Sequence, residues 1–221
     1  MTTERAYGEV PLTRLENASV WLSSLSVRRN ADLRGQRVAD LGCGYQASIV
    51  RPALDDVREA VLVDVALSED LKRHPRVRAI EGLLPDVLAG LESGSLDVIL
   101  ALAIVEHLLD GQRMLDEVFR LLAPGGVAIV NVPSWRGKPV LEFLAFRMGI
   151  SYDGIGDHKT YYDPRDLWPM LVRAGFRPSA IHCRRHKLGF ATLGVARKDV
   201  SAAQDAPEGP RRASVVAGPL R

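Results

Sequence analysis

Short apolar runs alternate with amphipathic stretches along most of this chain of 221 residues. Five of the runs have the length of buried strands, at 36–40, 60–65, 76–81, 98–102 and 127–132. The clearest helical spacing lies between the last two runs, at 112–122, where apolar residues recur on one face. Strands that alternate with helices in this way predict an α/β fold with a mainly parallel sheet and helices on both faces.

Weaker patterns extend this prediction towards both ends of the chain. Further helices are expected at 14–29, 47–57, 68–73, 85–91, 139–150 and 163–174. The last helix has clear boundary signals, with Asp163 as N-cap, Pro164 in the first helical position and Gly175 past the end. Segments 179–185 and 190–196 are expected to form a C-terminal antiparallel hairpin. The sequence therefore predicts a Rossmann-like sheet of seven strands.

Changes in composition divide the chain. We expect a helical segment at 1–34 and the main α/β domain at 35–198. Within that domain, residues 134–162 are rich in glycine, aromatic and charged residues, and they are predicted to be an insertion on the substrate side. Residues 199–221 are mostly Ala, Pro, Gly, Ser and Arg without periodicity, which predicts a disordered tail.

Charge and hydropathy limit the expected partners. A net charge of +2 gives no reason to expect binding of nucleic acid. Residues 1–14 lack the apolar run of a signal peptide, and the longest apolar run, 98–105, is too short to span a bilayer. We therefore expect a cytoplasmic protein without stable membrane insertion. Weak peripheral association with membranes, through the apolar stretch 139–150, is left open.

The cysteines and acidic residues give no sign of a metal site. Cys43 and Cys183 match no metal-ligand spacing, and Asp, Glu and His residues do not cluster along the sequence at such spacing. The two cysteines are predicted to be free thiols, and no metal is expected.

The first strand ends in an acid and a glycine turn. Asp40 closes the strand, and Gly42 and Gly44 follow it. Glycine lets the backbone approach a ligand closely, and a strand that enters a tight turn is where α/β folds bind cofactors. The second strand ends in Asp64, which lies 64 − 42 = 22 residues after Gly42. Rossmann-like folds place the acid that binds ribose hydroxyls at about this spacing.

Five motifs in order carry a family resemblance: Asp40-x-Gly42-x-Gly44, Asp64, Leu96-Asp97-Val98-Ile99, Val105-Glu106-His107-Leu108 and Leu122-Ala123-Pro124-Gly125-Gly126. The set resembles the class I S-adenosylmethionine-dependent methyltransferases and covers residues 30–197. The resemblance implies S-adenosyl-L-methionine as the cofactor. It also implies in-line methyl transfer, in which the protein mainly aligns nucleophile, methyl and sulfur.

The resemblance assigns roles at the glycine turn. Asp40 would orient the methionine ammonium, and Gly42 and Gly44 would pack against the amino-acid and ribose region of the cofactor. Asp64 would accept hydrogen bonds from the ribose hydroxyls, a task that suits a carboxylate. The alternatives are that Asp64 is a solvated acid at a strand end and that Asp40 caps the first helix or turn.

Three more residues are expected at the cofactor. Gly82 and Leu83 would lie beside adenine, and Ala101 would lie beside the methionine portion and the methyl group. Two positions depart from the family pattern. Leu83 stands where members often carry an acid, with Glu81 two residues earlier, and Gln46 stands where many carry a third glycine.

The catalytic candidates lie in the segment 157–162 and after the fourth strand. This segment resembles one that many small-molecule methyltransferases place over the active site. His158 is predicted to deprotonate an attacking hydroxyl, and Tyr161 or Tyr162 to line the pocket or meet the cofactor. His107 is a further candidate for substrate contact. The structural alternatives are that His158 fixes its loop and that His107 holds its turn.

The insertion and the C-terminal hairpin each carry a further group of side chains. An apolar lid or a small core under the insertion is expected from Trp135, Phe143, Phe146 and Met148. A solvated end of the hairpin is expected from Arg184, Arg185, His186 and Lys187.

The resulting hypothesis is a methyltransferase acting on a small-molecule acceptor, with an oxygen acceptor favoured. One alternative is an NAD(P)-dependent Rossmann oxidoreductase, because Ala47 completes a looser form of the dinucleotide fingerprint. The turn at 122–126 and the lack of a Tyr-x-x-x-Lys set count against it. The other alternative is a non-catalytic cofactor-binding module, favoured by Gln46 and Leu83. The acceptor and the oligomeric state are not readable from the sequence.

Overall fold

The structure, a computed structural model, describes residues 11–148 and 158–200. Its strands are β1 (Arg37–Leu41), β2 (Glu59–Asp64), β3 (Val77–Glu81), β4 (Leu96–Leu102), β5 (Leu122–Pro133), β6 (Ile181–His186) and β7 (Ala191–Arg197). They form one sheet in the order β3-β2-β1-β4-β5-β7-β6. The first five strands run parallel, and β7 runs antiparallel to β5 and β6. The predicted Rossmann-like sheet with its C-terminal antiparallel hairpin is confirmed.

The helices of the described residues are α1 (Arg14–Asn30), α2 (Glu69–Arg73), α3 (Gly111–Leu121), α4 (Lys138–Met148) and α5 (Pro164–Ala174). The sequence signals at the ends of α5 are confirmed, since Asp163 is its N-cap and Gly175 follows it with φ +118°. At α1, Thr13 and Glu16 form a capping box in which each side chain accepts from the other residue's backbone N–H.

Two apolar cores lie on opposite faces of the sheet. Alternate residues of β1 show the division, because Val38 belongs to one core and Ala39 to the other. The core that contains Ala39 is completed by α3 and α5, and the core that contains Val38 is completed by α1 and α2. The central strands are buried on both faces, which explains why they are apolar throughout.

Two predicted helices are wrong. Residues 47–57 form successive turns with a single 3-10 turn at Arg51–Ala53, because Pro52 has no N–H to continue an α-helix. Ala47 also has φ +45°, outside the helical region. Residues 85–91 form only the short 3-10 helix Asp86–Gly90. The connection after the glycine turn is therefore built from turns and not from an α-helix.

The segment after α3 also differs from the prediction. β5 begins at Leu122, so the predicted turn at Pro124 and Gly125 lies inside the strand. Its register with β4 shifts between Leu96 and Val98, and the bulge leaves Pro124 and Gly125 exposed.

Parts of two other predictions lie outside the described residues. Helix α4 ends at Met148, within the predicted helix at 139–150, and residues 149–157 of the insertion are not described. Of the predicted tail at 199–221, only Asp199 and Val200 are described. The domain boundaries drawn from composition remain predictions.

Candidate active site

The glycine turn at the end of β1 is fastened to β2. The backbone N–H groups of Gly42 and Cys43 both donate to the carbonyl of Val63, at 2.8 and 3.2 Å. Gly42 has φ +75° and Gly44 has φ +72°, a region that L side chains rarely adopt. A Cβ on Gly42 would lie 2.8 Å from Cγ1 of Ile104, so the turn also needs glycine for space.

Asp64 lies at the carboxyl end of β2 and closes over this turn. One of its carboxylate oxygens accepts from the N–H of Gly44 at 2.7 Å, and the other accepts from the N–H of Val65 at 2.8 Å. Burial raises the pKa of Asp64, and these two backbone hydrogen bonds oppose the rise. Asp64 is thus held against the turn, and it is not a solvated acid at a strand end.

Asp40 is a buried carboxyl group that lacks a complete set of partners. Its side chain is only 2% exposed, and within the described part of the chain its Oδ2 atom has no hydrogen-bond partner. Burial, and then the nearby charge of Asp64, raise the pKa of Asp40 to about 7. No α-helix begins after it, so the helix-capping alternative fails. A buried and a half-buried carboxyl group at one edge of the sheet favour a positively charged ligand.

Gln46, which stands where many family members carry a third glycine, does not cover the glycine turn. The Oε1 atom of Gln46 accepts from the guanidinium of Arg51 at 2.7 Å, on the exposed side of the connection. The side chain is therefore tied to Arg51.

The predicted adenine side lies after β3. Gly82 donates its N–H to the carbonyl of Asp64 at 3.0 Å, and its own conformation, φ +155°, leaves no room for a Cβ beside Val87. Leu83 exposes 62% of its surface. The carboxylate of Glu81 is already engaged, because it accepts from the N–H of Leu67 at 2.8 Å and pairs with the ammonium of Lys72 at 2.7 Å. The backbone of Gly82 and Leu83 is what this position offers a ligand.

Ala101 lies one residue before the end of β4 and is fully buried between Leu41 of β1 and Val130 of β5. Its small side chain belongs to the core, and the chain reaches the open edge of the sheet just after it. Ala103 adopts φ +58° there and donates its N–H to the carbonyl of Asn131 at 2.7 Å. Asn131 was not predicted from the sequence. Its Oδ1 atom is buried and has no hydrogen-bond partner among the described residues.

The predicted catalytic residues His107, His158 and Tyr161 lie close to one another. The rings of His107 and His158 lie 4.8 Å apart between centroids, and those of His158 and Tyr161 lie 5.4 Å apart. The carbonyl of Glu106 accepts from the N–H of Lys159 at 2.8 Å, which fastens the segment that carries His158 to the turn after β4. The structure thus brings His107 to a segment, carrying His158 and Tyr161, that is about 50 residues away in sequence.

The two neighbouring tyrosines separate. Tyr161 lies with its ring centroid 5.5 Å from that of Trp135, within the histidine group. The hydroxyl of Tyr162 lies beside Gly111 at the start of α3, and Tyr162 belongs to the core under α3. Trp135 and Phe143 are 48% and 56% exposed. For this part of the insertion, such exposure favours an apolar lid over a small core. The side chains of Phe146 and Met148 lie outside the description.

Glu106 is a further candidate residue beside the histidines, and the sequence alone identifies it only as part of the motif at 105–108. It is 1% exposed, and burial raises its pKa to about 8. The charge of Lys187 acts in the opposite direction on the pKa of Glu106. Lys187 is half-buried and donates to Oγ of Ser19 in α1 at 2.7 Å, so the expectation that it belongs to a solvated hairpin end is wrong. Burial lowers the pKa of Lys187 to about 8.

Within residues 11–148 and 158–200, no helix is both long and apolar enough to cross a membrane.

Comparison with known proteins agrees with this geometry. A family model described as a methyltransferase domain matches residues 39–130, from β1 into β5. A ubiquinone biosynthesis O-methyltransferase of Psychrobacter arcticus is 27% identical over 179 residues, which cover 73% of this chain and 67% of the relative. A protein of Mycolicibacterium smegmatis named probable S-adenosylmethionine-dependent methyltransferase is 31% identical over 161 residues, covering 72% and 59%.

The fold has close structural parallels. The crystal structure of a S-adenosylmethionine-dependent methyltransferase from Archaeoglobus fulgidus superposes with a TM-score of 0.61 at 16% identity, and it covers 81% of this chain and 94% of that one. The relatives named here are methyltransferases, and the solved structure shares the Rossmann-like fold of this sheet. The chain is similar to S-adenosylmethionine-dependent methyltransferases. It spans about 59–67% of the length of the curated relatives named above.

Proposed function

We propose that this protein transfers the methyl group of S-adenosyl-L-methionine to an oxygen atom of a small-molecule acceptor. The observation that carries the proposal is the buried carboxyl group of Asp40 and the half-buried one of Asp64, which lie against a glycine turn where Gly42 has no room for a Cβ. S-adenosylmethionine has an ammonium and a sulfonium charge together with a ribose diol. Cationic and hydroxyl groups are what two such carboxyl groups bind well.

The residues present fit the cofactor in distinct ways. Asp40 has a buried oxygen without a partner, and an ammonium group would satisfy it. Asp64 is already fixed by Gly44, and a carboxylate held in this way is preorganised to accept from two vicinal hydroxyls. Backbone groups of Gly82 and Leu83 would contact adenine, apart from the N–H of Gly82, which is bonded to the carbonyl of Asp64. Ala101 is the last buried residue of β4, next to the edge of the sheet where the methyl group would lie.

The acceptor side is assigned to the group formed by His107, His158 and Tyr161. When bound, the cofactor supplies an activated methyl group, so the protein has to place the acceptor oxygen in line with it and exclude competing water. A hydroxyl acceptor also has to lose its proton. His158 is suited to accept that proton, since an imidazole titrates near neutral pH. His107, whose ring lies edge-on to His158, limits how that imidazole can turn.

An oxygen acceptor is favoured by two considerations. Imidazole groups at the acceptor side are needed for a hydroxyl and less so for a neutral amine. The relative from Psychrobacter arcticus is named an O-methyltransferase, which specifies an oxygen acceptor for that protein. Gln46 no longer favours the non-catalytic alternative, because its side chain is hydrogen-bonded to Arg51 and leaves the turn accessible.

The experiment is a turnover assay with the purified full chain. Release of S-adenosylhomocysteine is followed with a panel of phenols, catechols, aliphatic alcohols and amines, and the His158→Ala variant is compared with His182→Ala, which removes an exposed histidine of β6. We expect turnover with a hydroxyl acceptor that falls in His158→Ala and persists in His182→Ala. Tight binding of S-adenosylmethionine without turnover on any acceptor would instead favour the non-catalytic module. Binding of a nicotinamide cofactor in its place would favour the oxidoreductase.

A further inference from the structure

Three potential metal ligands converge beside the predicted acceptor position. Glu106, His107 and His158 each offer one ligand atom, and these atoms lie within 4.8 Å of one another. Sequence spacing predicted no metal, because His158 is remote in sequence from the other two. The fold brings it back through the hydrogen bond from Lys159 to the carbonyl of Glu106.

The burial of Glu106 favours a cation at this point. Its side chain is almost completely buried, and within the described residues its Oε2 atom has no hydrogen-bond partner. A buried carboxylate without compensation is costly, so such a group is normally paired, coordinated to a metal or neutralised. The ammonium of Lys187 influences Glu106, but it donates its hydrogen bond to Ser19. One carboxylate oxygen therefore remains available.

The ligand set has a definite chemical preference. Two imidazoles and one carboxylate suit zinc and other divalent transition metals better than magnesium, which prefers oxygen ligands. Catalytic zinc sites with two histidines and one glutamate leave further coordination positions open. Ligand atoms about 2.1 Å from one such ion lie roughly 3.4 Å apart, so the three groups need to close by about an ångström. Both histidines are half-buried, and this movement is part of what metal binding requires.

We propose that Glu106, His107 and His158 bind a divalent transition-metal ion, of which Zn²⁺ is the reference case, and that the open positions of this ion hold the acceptor oxygen. The second part rests on the function proposed above, whereas the binding of the ion does not. A metal-bound hydroxyl loses its proton more readily than a free one. The ion thus takes over the task that the sequence assigned to His158 as a base.

The bond changes of the reaction balance with the ion as a Lewis acid. The O–H bond of the acceptor breaks and its proton passes to water. The new O–C bond forms as the C–S bond of the sulfonium breaks, and S-adenosylhomocysteine leaves as a neutral thioether. The ion changes neither its charge nor its oxidation state, so no oxidant or reductant is required.

The first test measures the metal directly. Untagged full-length protein is stripped with a chelator, dialysed and titrated with Zn²⁺, and in separate runs with Mn²⁺ and Mg²⁺. We expect one equivalent of Zn²⁺ to bind saturably and to raise the midpoint of thermal unfolding, as a ligand of the native state must. Co²⁺ should give the visible absorption bands of a nitrogen- and oxygen-ligated site. If none of the three metals binds saturably, the proposal is overturned.

Matched variants locate the site. Each of His107→Ala, His158→Ala and Glu106→Gln should weaken Zn²⁺ binding by about tenfold or more, since each removes a ligand. The control His182→Ala removes a surface histidine outside the group and should bind as the unaltered protein does. Equal binding by all four variants would place the metal elsewhere and overturn the proposal.

Failure of this inference is separable from failure of the proposed function. Turnover of a hydroxyl acceptor that persists undiminished in a chelator would overturn the metal site and leave His158 as the base. Binding of Zn²⁺ by the three residues in a protein that does not bind S-adenosylmethionine would support the metal site and overturn the proposed function.

Discussion

The carboxylate of Asp64 accepts a hydrogen bond of 2.7 Å from the backbone N–H of Gly44. This contact joins the end of β2 to the turn that leaves β1, so the acid and the turn form one rigid unit. Both residues are predicted at the cofactor, Asp64 from its spacing after Gly42 and Gly44 from the family resemblance, and the bond places them side by side. A ligand that binds Asp64 is placed directly over the turn.

The lack of space at Gly42 gives the first prediction. Gly42→Ala should lower the free energy of unfolding by the strain of a positive φ, about 1–2 kcal/mol, and by roughly 1–3 kcal/mol more for the overpacking against Ile104. Gly35→Ala is the matched control, because Gly35 has φ +68° and nothing within 4 Å of a Cβ. Urea denaturation of both variants measures the difference. Equal losses in the two variants would show that Ile104 yields without cost.

Binding of S-adenosylmethionine should separate the same two variants. Gly42→Ala shifts the turn against Ile104 and should weaken binding, whereas Gly35→Ala, at the other end of β1, should leave the affinity unchanged. A titration of each variant with the cofactor measures this, and an unaltered affinity of Gly42→Ala would mean that the turn does not contact the cofactor.

The buried state of Asp40 predicts a dependence of stability on pH. Its pKa is raised to about 7 in the folded protein, from 3.8 for an ordinary aspartate. Between these values the unfolded chain has released a proton that the folded protein keeps, so the free energy of unfolding falls as pH rises from about 4 to about 7. The slope approaches about 1.4 kcal/mol per pH unit for one proton. Asp40→Asn should remove this part of the decline.

The difference between the two proteins isolates the effect from other titrating groups. Chemical denaturation of the unaltered protein and of Asp40→Asn at pH 5, 6, 7 and 8, without cofactor, gives that difference. It should change in favour of the variant as pH rises. Parallel curves for the two proteins would show that Asp40 is ionised in the folded state well below pH 7.

Tyr161 is expected to act through packing. Its ring lies against Trp135 and His158, and its side chain is 5% exposed. Tyr161→Ala should lower kcat/KM for the acceptor by about tenfold, because the neighbouring rings lose their support, whereas Tyr161→Phe should stay within about twofold. The affinity for S-adenosylmethionine should change in neither. A loss in Tyr161→Phe as large as in Tyr161→Ala would assign the chemistry to the hydroxyl.

The sequence predicted the sheet well because its central strands are buried on both faces. Such strands are continuously apolar, and the pattern survives without knowledge of the packing. The prediction failed at 47–57 and 85–91, where the helical composition is outweighed by single residues. Pro52 removes a donor in the first segment, and the second forms only the 3-10 helix Asp86–Gly90.

The two halves of the site differed in how far they could be predicted. The proposed cofactor half depends on residues at strand ends, whose spacing is regular in Rossmann-like folds, so the distance from Gly42 makes Asp64 a candidate. The acceptor half depends on contacts between segments remote in sequence. Glu106 became a candidate only when the structure showed its burial and brought His158 to His107.

The binding of S-adenosylmethionine by Asp64 is the central claim, and calorimetric titration tests it most directly. The unaltered protein, Asp64→Ala and Asp55→Ala are titrated with the cofactor. Asp55 is the control, since its side chain is 99% exposed in the connection before β2. Asp64→Ala should bind on the order of a hundredfold more weakly, because it loses two charge-assisted hydrogen bonds to the ribose. Asp55→Ala should bind normally, and an affinity of Asp64→Ala equal to that of the unaltered protein would contradict the account.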